Sequence, residues 1–282
     1  MKSNQIIFKG LSLIVILSFF SCSSNYKHSF TEEEINNVVS KSLQHPIILQ
    51  KKGIKISEII DYPRFSDVSL NLLTDNVRFR LGKNNLEFDI KKFNLGERTV
   101  EENNTGFKLN KSGQNLCVIT NSEDPNYYYS ERVEKYFEKT DKYLFAYLSR
   151  SYGVSLKAKT AYGFYKLEMN ESDGNLVKET KQKLIYLNSP SQGDIFSKNS
   201  KILLDFFLVN HTIKEQDGYL ELSINDVSFV LNKWAPFSIE GLDYGKYRVQ
   251  LKAFTKEGKE IETLKMKNSF VDFEVKEEAV FE

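Results

Sequence analysis

The sequence predicts an all-β protein made of two tandem antiparallel β-sandwich modules, preceded by a short N-terminal helix. Two observations lead to this prediction. Short apolar segments with a period of two recur along the chain, for example at 68–72 and 86–90, and this alternation is typical of strands with one buried face. After residue 53 no convincing amphipathic helix separates these segments, which favours antiparallel sheets over an α/β arrangement.

The chain has 282 residues, which is long for one domain and comfortable for two. The predicted organisation is a leader at 1–21, a tether carrying the helix at 22–52, a first sandwich at 53–178 and a second sandwich at 184–277. The charged segment between the two sandwiches is interpreted as a solvated link.

The start of the chain has the features of a secretory signal. Lys2 and Lys9 supply a basic start, and the apolar run that follows at 10–20 is shorter than the ~20 residues that span a bilayer. The small residue Ser21 precedes Cys22, the order found at bacterial lipoprotein cleavage sites. We therefore expect Cys22 to be lipidated. The alternative is an ordinary signal cleaved nearby, with Cys22 an incidental thiol.

Lipidation at Cys22 predicts a protein attached to the outer membrane by its acyl chains, since two or more chains give stable anchoring. The leader resembles those of Bacteroidota lipoproteins, of which the surface-exported ones carry an acidic cluster after the cysteine. Residues 23–27 contain no acid. The sequence therefore favours the periplasmic face of the membrane.

Charge and residue counts exclude several function classes. The net charge is +1 for the whole chain and −1 without residues 1–21, so nucleic acid is not an expected partner. One further cysteine, Cys117, cannot form a disulfide framework alone. The three histidines, His28, His45 and His211, are far apart in sequence. We expect no metal site, no cofactor and no catalytic set, and hence no enzyme.

The N-terminal helix is predicted at 32–44. Thr31 and Glu34 have the spacing of a capping box, and the helix ends before Pro46. Its apolar stripe either packs on the first sandwich or docks a partner.

The first sandwich is predicted to contain eight strands, with Asn84 and Asn85 as the hairpin turn between the third and the fourth. These strands lie at 54–60, 68–72, 77–81, 86–90, 116–120, 133–138, 143–148 and 161–169.

The second sandwich is predicted to be immunoglobulin-like. Its strand at 201–209 is apolar throughout and is expected to be buried on both faces. Tyr247 has the position of a tyrosine corner, in which the hydroxyl fastens the turn before a strand. Trp234 and Phe237 are interpreted as core between the sheets, with a ligand platform as the alternative. Other strands are predicted at 184–187, 219–224, 227–231 and 270–275.

Two segments are candidate binding sites. Tyr127, Tyr128 and Tyr129 are consecutive, so on a strand at least one of them is expected at the surface, where tyrosine favours interfaces. The alternative is that they cover a loop as sheet aromatics.

The other candidate follows a buried strand and consists of Ser149, Arg150, Ser151 and Tyr152. An arginine between two serines could bind a phosphate or carboxylate through its planar fork. The alternative is a structural arginine paired with a local acid such as Glu131 or Asp141.

Two stretches, 147–152 with 113–117 and 204–210 with 233–242, resemble a family of uncharacterised Bacteroidota lipoproteins often labelled "phosphopeptide-binding protein". The resemblance covers roughly 55–275 and implies a C-terminal immunoglobulin-like domain. The family matches this chain at 149–152. It differs at two places, because the relatives have histidines within the segments that correspond to 115–117 and 152–155 of this chain. A histidine site of the relatives therefore does not carry over. The forkhead-associated signature that would support the label is also absent from the sequence.

These features predict a non-catalytic binding or scaffold lipoprotein of the cell envelope, with an envelope protein as its expected partner. Two alternatives stay open. One is an accessory subunit of an outer-membrane assembly, and the other is an enzyme acting on glycans or peptidoglycan with carboxylates brought together by folding.

Overall fold

The computed structural model describes residues 46–60, 65, 67–73, 78–99, 107, 113–121, 125–170, 173–213, 218–264, 266 and 269–277. The leader, Cys22 and the helix predicted at 32–44 lie outside these residues. Within them no helix is long and apolar enough to cross a membrane.

Nineteen strands form in the described part of the chain. They are β1 (Ile48–Lys51), β2 (Ile54–Glu58), β3 (Ser69–Leu72), β4 (Arg78–Arg80), β5 (Gly82–Lys91), β6 (Asn115–Thr120), β7 (Asn126–Tyr128), β8 (Arg132–Phe137), β9 (Tyr143–Ser149), β10 (Tyr162–Met169), β11 (Asp173–Lys178), β12 (Leu184–Ser189), β13 (Ile195–Ser197), β14 (Ile202–Val209), β15 (Tyr219–Ile224), β16 (Val227–Leu231), β17 (Phe237–Glu240), β18 (Gly245–Phe254) and β19 (Phe270–Lys276).

These strands form two β-sandwiches, which confirms the predicted fold class. In the first, a sheet in the order β3-β5-β8 faces one in the order β4-β11-β10-β9-β6-β7. In the second, β1-β2-β17-β14-β12 faces β13-β19-β18-β15-β16. All pairings between two of these strands are antiparallel except that of β13 with β19. Each sandwich encloses its own apolar core, which is built from the strand residues whose side chains point inward.

The hairpin formed by β1 and β2 belongs to the second sandwich, which corrects the boundary predicted at residue 53. Ile56 of β2 pairs with Ile239 of β17, and its side chain is buried in the second core. The alternation of Ile54 and Ile56 identifies a strand with one buried face. It carries no information about which sheet that strand joins, because register and partner depend on long-range packing.

The hairpin turn predicted at Asn84 and Asn85 is wrong, since both residues lie inside β5 and pair with β8. The chain bends earlier, at Leu81, and β4 and β5 belong to different sheets. Asn84 stabilises that bend: its Oδ1 accepts the N–H of Arg80 at 2.9 Å and its Nδ2 donates to the Arg80 carbonyl at 2.8 Å. Asparagine side chains that hydrogen-bond nearby backbone groups are common in turns, which explains why Asn84 and Asn85 were predicted to form one.

The tyrosine corner of the second sandwich is confirmed. The Tyr247 hydroxyl donates to the carbonyl oxygen of Asp243 at 2.9 Å, and Leu242 of the same corner is buried in the core. Strand β14 is also buried on both faces as predicted. Its inward residues enter the second core, and its outward residues meet the first sandwich.

Candidate functional site between the two sandwiches

The two sandwiches meet through an apolar interface, here called the aromatic joint. It comprises the outward residues of β6, β9 and β10 on one side and of β12 and β14 on the other. Phe145 is at its centre, with the Phe207 ring 5.0 Å away at 85°. Tyr147 lies 4.6 Å from the same ring. Such pairs contribute ~0.5–1.5 kcal/mol beyond the area they bury. The joint therefore gives the two sandwiches a shared core.

A buried polar network borders the aromatic joint. It consists of Ser155, Lys157, Asn188 and Asp205. The Asp205 carboxylate accepts bonds from the Ser155 hydroxyl at 2.5 Å, from Asn188 Nδ2 at 2.8 Å and from Lys157 Nζ at 2.7 Å. Lys157 Nζ also donates to the carbonyl of Phe206 at 2.6 Å. A buried charge placed in this way is compensated by an opposite charge and by hydrogen bonds.

The local fold explains how these four residues meet. Asp205 is an outward residue of β14, so it points at the first sandwich. Opposite it, β12 shifts register between Leu187 and Ser189, and this irregularity aims Asn188 across the joint. The Oδ1 of Asn188 accepts a hydrogen bond from the Tyr147 hydroxyl. Burial raises the pKa of Tyr147 well above its ordinary value, so this hydroxyl remains a neutral donor.

The network contains a serine bonded to both a lysine and an aspartate, an arrangement that serves nucleophilic catalysis in some hydrolases. Ser155 and Asp205 are each 0% exposed. A substrate carbonyl cannot reach a hydroxyl in that position. The geometry therefore fits a structural connection between the sandwiches. Within the described residues, no group of three His, Cys, Asp or Glu side chains could hold a metal ion.

The segment predicted to bind an anion is buried. Arg150 is 1% exposed, and its guanidinium lies 4.6 Å from the centre of the Phe65 ring. The Ser149 hydroxyl donates to Asn115 Oδ1 at 2.7 Å, and the Ser151 hydroxyl accepts the N–H of Thr99 at 2.9 Å. This burial leaves no surface fork for a phosphate or carboxylate ligand.

The three tyrosines point to different surroundings. Tyr127 packs on the aromatic joint and Tyr128 on the first core, and the Tyr128 hydroxyl donates to the Glu134 carbonyl at 3.3 Å. Tyr129 is 43% exposed. The expectation that at least one of them reaches the surface is confirmed.

Tyr127 and Tyr152 come together at a small cavity between the sandwiches, beside Asn188 and Ser191. The cavity volume is about 50 Å³, and one water needs ~10–15 Å³ on this measure. Burial raises the pKa of the Tyr127 hydroxyl, so the wall it forms is uncharged. The cavity has room for a few water molecules and is too small for an organic ligand.

A larger site, here called the interdomain groove, opens where β10 of the first sandwich meets β14 of the second. Its volume is about 360 Å³, within the ~300–1,000 Å³ typical of small-ligand clefts. Tyr162 and Trp234 line it, with ring centres 6.2 Å apart at 73°. Trp234 Nε1 donates to the Phe206 carbonyl at 2.9 Å, so the indole is held in place from beneath.

The polar side of the groove is formed by the link between the sandwiches and the turn after β14. Glu179 Oε1 accepts the N–H groups of Lys181 and Gln182 at 2.6 and 3.1 Å, and the Lys181 bond is the main cause of the lowered pKa of Glu179. Asn210 adopts a φ of 54° and donates to the Gln182 carbonyl at 2.8 Å. The link at 179–183 is therefore ordered by hydrogen bonds, although its composition indicated only a solvated segment.

The sequence singled out one groove residue, Trp234, which was interpreted as core with a ligand platform as the alternative. Phe237 is core, as interpreted, and stacks on Phe206. Trp234 is only half-buried and lies at the edge of both the second core and the aromatic joint. The other groove residues form no motif, since Lys159, Tyr162, Lys178 and Asn210 come from separate elements.

A wider depression of about 700 Å³ lies on the second sandwich, along β13, β18 and β19. Its wall carries the Arg248–Asp272 ion pair, which is bidentate at 2.7 and 2.9 Å. The guanidinium and the carboxylate are therefore already hydrogen-bonded to each other and are less available to a ligand. We therefore regard the interdomain groove as the better candidate site.

Comparison with known proteins places the chain in no family: no protein-family model matches it, and no curated protein does. Solved structures with some similarity to this chain include the fibronectin(III)-like modules of Clostridium thermocellum CbhA (9% identity, 73% of this chain and 94% of that chain, TM-score 0.27). Two others are SGBP-B of the Bacteroides ovatus mixed-linkage glucan utilization locus, in complex with a mixed-linkage heptasaccharide (9%, 74% and 70%, 0.23), and an endo-beta-1,4-mannanase from Thermotoga petrophila (13%, 36% and 21%, 0.25).

The chain spans 21% of the mannanase. At these identities and TM-scores the similarities assign no activity or ligand to this chain.

Proposed function

We propose that the protein is a non-catalytic binding module of the cell envelope whose ligand lies in the interdomain groove. The observation that carries the proposal is the groove itself, an aromatic-lined cleft between two sandwiches with polar groups along one side. Clefts of this kind at domain boundaries are preferred ligand sites. The aromatic joint and the buried polar network support it further, because they hold the two walls of the cleft together.

The groove can be tested by filling it. Thr212 lines the groove and is exposed, so Thr212→Trp would occupy the cleft without disturbing either core. The full-length protein in neutral detergent would be titrated against peptidoglycan, lipopolysaccharide, neutral glycans, uronic-acid polymers and acidic peptides. We expect binding of at least one of these ligands and a loss of about tenfold or more in Thr212→Trp.

The matched control is Asn85→Trp, which adds the same side chain at an exposed position of β5, outside the groove. It should bind like the parent protein. The proposal is wrong if no ligand binds, or if the two tryptophan variants bind equally well.

We also propose that the module is attached to the outer membrane through lipidated Cys22, on the periplasmic face. The support is the leader sequence and the small residue before the cysteine. Metabolic labelling with an alkyne fatty acid should label the parent protein and leave Cys22→Ser unlabelled. Protease added to intact cells should leave the protein uncleaved until the outer membrane is opened. An unlabelled parent protein would contradict the anchor, and cleavage in intact cells would contradict the periplasmic face.

A further inference from the structure

The interdomain groove differs from other parts of the described surface in that its lysines are not ion-paired. Several exposed lysines have carboxylate partners, such as Lys83 with Glu134 at 2.5 Å and Lys166 with Glu168 at 3.3 Å. Lys159 and Lys178 line the groove and are exposed, and no carboxylate of the described residues lies within ion-pair distance of either. Two cations at one cleft, neither of them in an ion pair, favour an anionic ligand.

The acid of the groove, Glu179, offsets part of this positive charge but forms no ion pair with either lysine. Glu179 directs Oε1 at the backbone N–H groups of Lys181 and Gln182, and it makes no ion pair within 4 Å with a described residue. The local excess of positive charge therefore contrasts with a chain whose net charge is close to zero. That excess is available to a ligand that brings its own negative charge.

The aromatic lining indicates what carries that charge. The N–H of Trp234 is used internally, so its half-exposed ring offers the groove an apolar surface. Tyr162 offers a second ring and a hydroxyl, and burial raises the pKa of that hydroxyl, so it stays neutral beside an anion. Rings that combine an apolar body with a polar tip suit a ligand with both C–H faces and hydroxyl groups. Sugar rings have this character.

The pairing of β10 disfavours an acidic peptide that binds by adding a strand to this wall of the groove. Strand β10, which forms one wall, is paired with β9 on one side and with β11 on the other. Its backbone groups are therefore committed, and a peptide could not add to it as a further strand. A saccharide needs no strand edge, because side-chain groups such as the Thr212 hydroxyl can bond its hydroxyls.

Resting on the proposed binding function, we infer that the interdomain groove binds an acidic saccharide. Its sugar rings contact Tyr162 and Trp234, and its carboxylates pair with Lys159 and Lys178.

The test uses the full-length protein in neutral detergent and four uronic-acid polymers: polygalacturonate, alginate, hyaluronate and chondroitin. Each is compared with its carboxyl-reduced derivative, which keeps the sugar backbone and loses the charge. We expect at least one acidic polymer to bind about tenfold or more tightly than its reduced form, with affinity falling as salt is raised.

The double variant Lys159→Ala/Lys178→Ala should lose that preference, while Lys83→Ala/Lys91→Ala should keep it. The control pair removes the same charge from β5, where both lysines are ion-paired at the surface. Unfolding curves that match the parent protein confirm that the variants are folded.

The remaining outcomes overturn the inference in distinguishable ways. Equal binding of reduced and acidic polymers leaves the binding function standing and removes the charge preference. Poly-L-glutamate is tested in the same way. If it binds as tightly as the best acidic polymer and loses the same affinity in Lys159→Ala/Lys178→Ala, the ligand class is an acidic peptide and not a saccharide. Binding of none of the four acidic polymers refutes the acidic saccharide, whereas binding that persists in Thr212→Trp refutes the groove itself.

Discussion

The carboxylate of Asp205, in the middle of β14, accepts a hydrogen bond from the ammonium group of Lys157 at 2.7 Å, across the boundary between the two sandwiches. The Lys157 side chain is 12% exposed and the Asp205 side chain 0%. The ammonium group also lies 4.9 Å from the centre of the Phe207 ring. This pair connects the polar network to the aromatic joint, so its removal should affect how the two sandwiches hold together.

We expect Asp205→Ala to reduce the free energy of unfolding by about 3–5 kcal/mol, because it leaves a buried ammonium group without its charge partner. Urea unfolding gives the measurement. The double variant Lys157→Met/Asp205→Leu should lose less than Asp205→Ala, since it removes both charges and keeps the volume. Lys92→Ala, which breaks the exposed pair with Asp67, should change the midpoint little. A loss in Asp205→Ala no larger than in Lys92→Ala would contradict the role of the buried pair.

Phe145→Ala should destabilise the protein by about 3–5 kcal/mol and weaken the connection between the sandwiches. Phe145 contacts rings of both sandwiches, so its loss opens a cavity at the aromatic joint. Limited proteolysis under native conditions should then cleave the link at 179–183 faster. Phe137→Ala is the control, because it opens a comparable cavity inside the first core. Equal cleavage of the link in both variants would argue against a specific role for the joint.

Gly241→Ala should destabilise the protein more than Gly53→Ala. Both glycines have positive φ, +81° and +84°, for which a non-glycine residue costs ~1–2 kcal/mol. A Cβ on Gly241 would also lie 2.2 Å from the carbonyl oxygen of Gly53, whereas one on Gly53 would meet nothing within 4 Å. The difference between the two thermal midpoints measures the close approach of the β1–β2 turn to the end of β17. Equal midpoints would mean that the backbone relaxes without cost.

Tyr247→Phe should lower the free energy of unfolding by about 0.5–1.5 kcal/mol, the net value of one hydrogen bond. The hydroxyl that donates to the Asp243 carbonyl is lost, while the ring stays stacked on Phe273. Tyr244→Phe is the matched control at the same corner, since Tyr244 is 51% exposed. If the free energy of unfolding changes no more in Tyr247→Phe than in Tyr244→Phe, the hydrogen bond of the tyrosine corner does not stabilise the protein.

The Arg248–Asp272 pair should make stability depend on pH in acid. The hydrogen bond from Arg248 is the main cause of the lowered pKa of Asp272. A carboxylate with a lowered folded-state pKa contributes stability above its ordinary pKa, and that contribution is lost as the pH falls through the lowered value. Unfolding midpoints measured between about pH 5 and pH 2 should therefore fall less steeply for Asp272→Asn than for the parent protein. Parallel curves would show that the exposed pair contributes nothing measurable.

Much of the strand content could be predicted because period-two alternation is a local property of the chain. β3, β6 and β8 to β10 fall where alternation or short apolar runs indicated them, and so do β12, β14 to β16 and β19. Strands β1, β11, β13 and β17 were not predicted. β13 and β17 are short, and Gly174 and Asn175 interrupt the apolar pattern of β11. Such segments become strands because a neighbouring sheet offers them a partner.

The candidate site could be predicted far less well. Arg150 looked like an anion ligand because its neighbours are polar, yet the packing of Phe65 and the fold of the first sandwich bury it. The groove could not be found from spacing, since Lys159 and Trp234 meet only when one sandwich packs on the other. Residues separated by a domain boundary share no periodicity that a single sequence could reveal.

The sequence by itself determined the fold class, the apolar run of β14 and the tyrosine corner, because each depends on residues that are neighbours in the chain. It also supplied the leader motif at Cys22, on which the proposed anchor rests. Only the tertiary structure decided that β2 joins the second sandwich, that Asp205 meets Lys157, and that an aromatic groove opens beside them. The physical reason is that outward residues of a strand have no assigned partner until another layer covers them.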